Sequence, residues 1–240
     1  LYLTGGIGSV PRIEGFSVAY DLPVQGGYSE TCASIGLGLW MDRLTRIAGD
    51  GACGDLLERC LYNGILSGIS LDGERFFYAN HLNLDRPAGM QPPDHSHMSL
   101  DRKEWFGCSC CPPNIARWLA SLGGLIYGES ASELAVHQYL GSQAELRLGD
   151  LPVGVTLSGD YAWQGQLRLT LQPARAARFT VALRVPAWAG KVAVRLGGQT
   201  LRAKVQRGYA RITRIWQPGE TLELTFPMVP QRVYGHPELT

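Results

Sequence analysis

The hydrophobic period changes partway along the chain, and no layer built from one kind of element satisfies both periods. In the first half apolar residues recur every three or four positions, as Leu37, Trp40, Met41, Leu44 and Ile47, then as Leu57, Cys60, Leu61 and Ile65. A third stripe, Ile115, Trp118, Leu119, Leu122 and Ile126, follows Pro112 and Pro113, which are tolerated in a first helical turn. Three amphipathic helices are therefore expected, with Gly36 and Gly38 marking a close approach of the first to a neighbour. After about residue 132 the residues alternate instead, over 133–139, 144–148, 166–171, 178–185, 192–196, 209–212 and 221–226, with Gly or Pro turns between. This predicts an antiparallel β-sandwich. The chain of 240 residues is long enough for each half to bury its own core. The expected organisation is multidomain, α plus all-β, with a helical domain over 1–130 and a β domain over 131–240. Residues 85–104 lack any period, are rich in proline, and read as a long loop of the kind that is usually functional or mobile.

The six cysteines (Cys32, Cys53, Cys60, Cys108, Cys110 and Cys111) all precede residue 112, whereas a disulfide framework would be spread through its fold. The asymmetry points to a local thiol site in a reducing, cytoplasmic compartment. With 22 Lys and Arg against 21 Asp and Glu, the chain offers no field for nucleic acid or an anionic membrane. No apolar run approaches the ~20 residues of a membrane span. The expected partner is a neutral small molecule or another protein. The chain opens on Leu1, without an initiator Met or a signal peptide, and reads as a slice of a longer protein, so a leader upstream is left open.

Cys110 and Cys111 directly precede a proline-led helix, and Glu30 and Cys32 stand at the start of the first one, so both pairs are expected at helix N-termini, where thiols ionise readily. Together they offer an S3O set, which suits Zn²⁺ better than Mg²⁺ or Ca²⁺. The residues alone leave two readings open: a metal–thiolate site, or buried free cysteines that only pack. Cys53 and Cys60 read as structural, Cys108 as a neighbour of the cluster, and Asp21 as shaping the turn before Pro23.

The motifs "YLTGGIGS", "YDLP", "YSETCASIG", "WFGCSCCPPNIAR" and "LRVPAW" resemble, in order, the bacterial β-L-arabinofuranosidase family of glycoside hydrolases. The resemblance covers essentially the whole chain. It implies the C-terminal portion of an (α/α)6 barrel followed by an antiparallel β-sandwich, and retaining hydrolysis of β-L-arabinofuranosides. It implies zinc held by Glu30, Cys32, Cys110 and Cys111, with Cys110 as nucleophile and Glu14 of "PRIEGFS" as acid/base. Tyr78 falls in a segment matching the family's Tyr-Val-Asn-Pro-Leu pattern, departing from it at Ala79 and His81; Tyr78, His95 and His97 are the candidate substrate contacts. The substrate implied is an arabinofuranoside oligosaccharide or glycoconjugate. Further partners left open are a second copy of the chain, or an N-terminal chain supplying the rest of the barrel and its substrate-binding histidines. Two other functions remain on the residues: a structural zinc module, and a carbohydrate-binding or assembly role for the β half through Trp163, Trp188 or Trp216.

Overall fold

A computed structural model describes residues 1–83, 97, 99–108, 110–235 and 237. The chain divides into two compact units: Leu1–Met41, Leu56–Ala120 and Val233–Thr240 form one, Asp42–Asp55 and Ser121–Arg232 the other. No helix among the described residues is long and apolar enough to cross a membrane.

The helices are α1 (Thr31–Ala48), α2 (Gly51–Arg59), α3 (Cys111–Ser121), α4 (Gly123–Ile126) and the single turn α5 (Tyr161–Gln164). A π-helical turn, Cys60–Ile65, prolongs α2 and buries Cys60, Leu61 and Ile65 as the periodicity predicts. Two expected faces are redrawn. On α1, Trp40 and Ile47 are 60% and 83% exposed, and the inner face runs through Thr31, Ser34, Ile35, Gly38, Met41 and Thr45. Small residues line it because the Trp118 ring of α3 fills the space: a Cβ on Gly38 would lie 2.7 Å from that ring, while one on Gly36 would meet nothing. The glycine expectation thus holds at Gly38 and not at Gly36. On α3 the buried positions are Cys111, Ile115 and Trp118; Leu119 faces outward, and the stripe breaks at Leu122 before α4 resumes.

The second unit holds β1 (Tyr127–Glu129), β2 (Glu133–Val136), β3 (Ser142–Leu148), β4 (Leu151–Asp160), β5 (Gln166–Pro173), β6 (Ala177–Arg184), β7 (Ala193–Leu196), β8 (Gln199–Thr200), β9 (Lys204–Gln206), β10 (Tyr209–Trp216) and β11 (Glu220–Thr225). They form a five-stranded sheet, β1-β2-β6-β10-β9, and a six-stranded sheet, β3-β4-β5-β11-β7-β8. One cluster of apolar residues, Leu134, Val136, Val181, Leu183 and Ile212 from the first sheet and Val153, Val155, Leu169, Leu171, Leu222 and Leu224 from the second, is the shared core. Alternation along each strand puts these side chains on one face. Pairing is antiparallel except between β2 and β6, which run parallel, so the all-antiparallel expectation fails at that one ladder. β4 was not anticipated. Its alternation of Leu151, Val153, Val155 and Leu157 is regular, but Pro152, Gly154 and Gly159 mask it.

Residues 42–55 are sewn into this unit by polar contacts. Buried Arg184 pairs with Asp55 and donates from Nε to the His137 carbonyl, while Gln138 Nε2 donates to the Gly54 carbonyl at 2.9 Å. Gly51 N donates to the Arg207 carbonyl at 2.9 Å, and a Cβ on Gly51 would sit 2.9 Å from the Gly208 backbone.

Candidate metal centre and active site

The site is built within the first unit from two helix N-termini and two returning segments. Glu30 precedes α1 and Cys32 lies in its first turn; Cys110 precedes α3 and Cys111 opens it. Packing of Trp118 against Gly38 holds the two helices together, so the pairs meet. The Glu30 segment is pinned to residues 78–80: Thr31 N donates to the Tyr78 carbonyl at 2.9 Å, Asn80 N to the Ser29 carbonyl at 3.0 Å, and Asn80 Nδ2 to Thr31 Oγ1. That pairing brings the Tyr78 side chain to the cluster.

The carboxylate oxygen of Glu30 and the Sγ atoms of Cys32, Cys110 and Cys111 all lie within 4.8 Å of one another. Three of the separations are 3.6 Å (Cys32 to Cys111), 3.7 Å (Cys110 to Cys111) and 3.5 Å (Cys110 to Glu30 Oε1). With Zn–S near ~2.3 Å and Zn–O near ~2.0 Å, a tetrahedron has S···S edges of about 3.8 Å and S···O edges of about 3.5 Å. The donor set therefore fits a tetrahedral, thiophilic cation, and the spacing is too long for any disulfide; all six cysteines are free thiols.

Of the three thiols, Cys32 alone moves in the direction that the helix-terminus argument expects. Cys32 is pulled down to about 7, chiefly by its hydrogen bond with Cys111, whereas burial pushes Cys110 up to about 12. Cys111, fully buried, is raised further by its contact with Cys32. Burial and the sharing of one negative charge outweigh the helix ends. A cation held among these atoms would reverse that balance.

Cys110 is half-buried and therefore reachable, and its Sγ is hydrogen-bonded to the Tyr78 hydroxyl at 3.1 Å. His97 stacks on the Tyr78 ring at 4.2 Å, and its Nε2 lies 3.9 Å from Glu14 Oε1. Phe106 meets the same Tyr78 ring edge-on. Glu14 arrives through the glycine-rich stretch. Gly8, at φ 97°, offers its carbonyl to Tyr28 N and Ser29 N, and the turn Pro11–Ile13 ends on Glu14 in the left-handed region at φ 49°. At Gly8 a glycine is required because a φ of 97° disfavours any side chain.

Tyr28 went unnoticed in the sequence. Its buried hydroxyl lies near both carboxylates: burial, then the charges of Glu30 and Glu14, hold its pKa far above that of a free phenol. The available signal was its place two residues before Glu30; what the sequence hid was the return of the Glu14 loop onto it. His95 lies outside the described residues. Cys108 is exposed and outside the cluster, while Cys60 is buried against the Gly5 carbonyl, with burial raising it to about 11. Among the tryptophans of the β half, Trp216 is fully buried, Trp188 half-buried and Trp163 82% exposed, so Trp216 is a core residue and not a sugar platform.

Comparison with known proteins bears on this geometry. Residues 1–124 match the family described as beta-L-arabinofuranosidase, GH127 catalytic domain, and residues 133–228 match the GH127 middle domain. A non-reducing end beta-L-arabinofuranosidase of Bifidobacterium longum subsp. longum is 35% identical over 234 residues, which are 95% of this chain and 35% of that protein. The crystal structure of a GH127 beta-L-arabinofuranosidase from Geobacillus stearothermophilus superposes with a TM-score of 0.93 at 40% identity, covering 100% of this chain and 38% of the other. A further GH127 beta-arabinofuranosidase structure gives 0.86 at 35% identity, again over 38% of its length. The chain thus spans little more than a third of these relatives, whose few helices and two sheets in this region it shares.

Proposed function

The chain belongs to the GH127 β-L-arabinofuranosidase family, and from that premise we propose that it carries the catalytic centre of a retaining glycoside hydrolase acting on β-L-arabinofuranosides. In this reading residues 1–130 are the C-terminal part of an (α/α)6 barrel and residues 131–240 a β-sandwich. The observation that carries the proposal is the S3O cluster, three of whose edges have tetrahedral lengths, lying within the region matched by the catalytic family.

Glu30, Cys32, Cys110 and Cys111 would hold Zn²⁺, which supplies ionisation and fixation of a thiolate at neutral pH. The chain's own groups then divide the work. Cys110 Sγ, the reachable thiol, attacks the anomeric carbon while Glu14 gives its proton to the leaving oxygen. A thioglycosyl group on Cys110 is then released by water, whose proton Glu14 takes. The Tyr78 hydroxyl, 3.1 Å from Cys110 Sγ, orients the sulfur lone pair, and the His97 ring, stacked on Tyr78, brings its Nε2 to 3.9 Å from Glu14 Oε1. Tyr78, His97 and His95 are proposed to face the sugar.

Turnover of an aryl β-L-arabinofuranoside tests the reading. Cys110→Ser is expected to lower kcat by more than about 10³-fold. Glu14→Gln is expected to lower it by about 10²- to 10⁴-fold with zinc content unchanged. Full turnover in either variant, or Cys110 in the folded protein refusing iodoacetamide, would instead leave a closed structural zinc site.

A further inference from the structure

The second unit carries a groove that none of this chemistry uses. It lies where the end of β4, the start of β5 and the end of β11 meet, with a volume of about 350 Å³, lined by Asp160, Gln164, Gln166, Arg168, Glu223 and Thr225. The strand register explains the composition: Leu167 and Leu224 point into the core, so the alternate residues Gln166, Arg168, Glu223 and Thr225 stand together on the outer face. The turn α5 rises at one end of it.

That turn is firmly held. The Asp160 side chain accepts from Trp163 N at 3.1 Å, and Tyr161 is buried among Tyr139, Trp188 and Phe226. Phe226 N donates to the Gly165 carbonyl at 2.8 Å. Gly159 and Gly165 both have positive φ, and a Cβ on either would lie within 2.5 Å of a neighbouring carbonyl oxygen, so both ends of the turn are reserved for glycine. On this fixed turn sits Trp163, 82% exposed, the largest exposed apolar side chain among the described residues of the second unit. A turn that lends Asp160 and Gln164 to the groove and also carries an indole in water offers sugar-recognition chemistry, in which a ring face packs on C–H groups while carboxylate, amide and guanidinium groups pair with hydroxyls.

The charges select among ligands. Arg168 faces Glu223 at 3.7 Å, both largely exposed, so the cation is balanced and an anion gains little. An exposed pair of this kind contributes little to folding and can turn outward to neighbouring hydroxyls at small cost. We propose that this groove, lined in part by Asp160 and Gln164 of the turn that bears Trp163, is a binding site for an arabinose unit of a neutral glycan, separate from the thiol cluster. The choice of an arabinose glycan as the ligand rests on the catalytic reading above.

Native electrophoresis of the 240-residue chain through gels containing soluble arabinan, polygalacturonate or no polymer is the test. Arabinan should retard the chain, Trp163→Ala should weaken that binding by about tenfold or more, and Glu223→Ala should also weaken it while melting as the parent does. Cys110→Ser should migrate as the parent, which separates this site from the failure or success of the catalytic reading. Trp163→Phe, which keeps a ring, should retain part of the binding if Trp163→Ala is poorly folded. No retardation by arabinan, retardation by polygalacturonate alone, equal retardation of Trp163→Ala, or loss of retardation in Cys110→Ser would each overturn the proposal.

Discussion

At the scale of single residues, the four cluster groups differ in exposure and so in what their loss should do. Cys111 and Glu30 are buried and Cys32 and Cys110 half-buried, yet all four stand within one tetrahedron's reach. Cys32→Ser or Cys111→Ser is expected to reduce bound zinc from about one per chain to a small fraction of that, measured by elemental analysis after dialysis, whereas Cys108→Ser should leave it unchanged. Removing the metal with a chelator should lower the melting temperature of the parent and scarcely affect Cys111→Ser. The gathering of these four groups was legible because both pairs stand at predicted helix starts, which packing of the two helices brings together. The surrounding groups were less so. Tyr28 and the contact of His97 with Glu14 depend on where the Gly8 carbonyl turns the chain, and no local pattern encodes that.

At the scale of elements, α1 and α3 show how the hydrophobic stripe misleads. A stripe weighted by large side chains selects Trp40 and Ile47, but the face that packs is set by the room the Trp118 ring needs, and it therefore runs through Gly38. The contrast between two glycines of one helix makes this measurable. Gly38→Ala should destabilise the protein by about 1–3 kcal/mol, since Trp118 must shift. It should also weaken zinc binding, because the crossing that it loosens is the one that joins the two ligand pairs. Gly36→Ala, on the open side, should stabilise by about 0.5–1 kcal/mol. Thermal or urea melts with and without chelator separate the two effects. In the β half the alternation was largely readable, strand by strand. The parallel β2–β6 ladder was not, because register between distant strands is a property of the packed sheet.

At the scale of the whole molecule, the helical segment 42–55 is part of the β unit through contacts that sequence periods cannot reveal. Arg184 is fully buried, and its charge is met by Asp55, whose other oxygen accepts from Ala187 N at 2.9 Å. Asp55→Ala should cost about 3–5 kcal/mol, because it strands a buried guanidinium. His137 nearby is hydrogen-bonded through Nδ1 to the Tyr209 hydroxyl at 2.7 Å, and burial, with Arg46 and Arg184 adding to it and Asp42 opposing, lowers its pKa to about 4. The unfolded chain binds that proton near pH 6.5 and the folded chain only near 4. Stability from this residue is therefore complete above pH 6.5 and is lost as pH falls through that window, by about 3 kcal/mol in all. Melting curves from pH 7 to 4 should show this loss in the parent and a flatter profile in His137→Asn.

The proline pair after the cluster has a further consequence. Helix mouths commonly seize phosphate or sulfate with their first backbone N–H groups. Here Pro112 and Pro113 have none, and the Asn114 N–H is spent on the Cys110 carbonyl at 3.3 Å. The start of α3 is an anion trap with its hooks filed off. Oxyanions in the medium find little to hold there, so the thiols remain open to a soft cation, and zinc occupancy should be the same in phosphate as in an amine buffer.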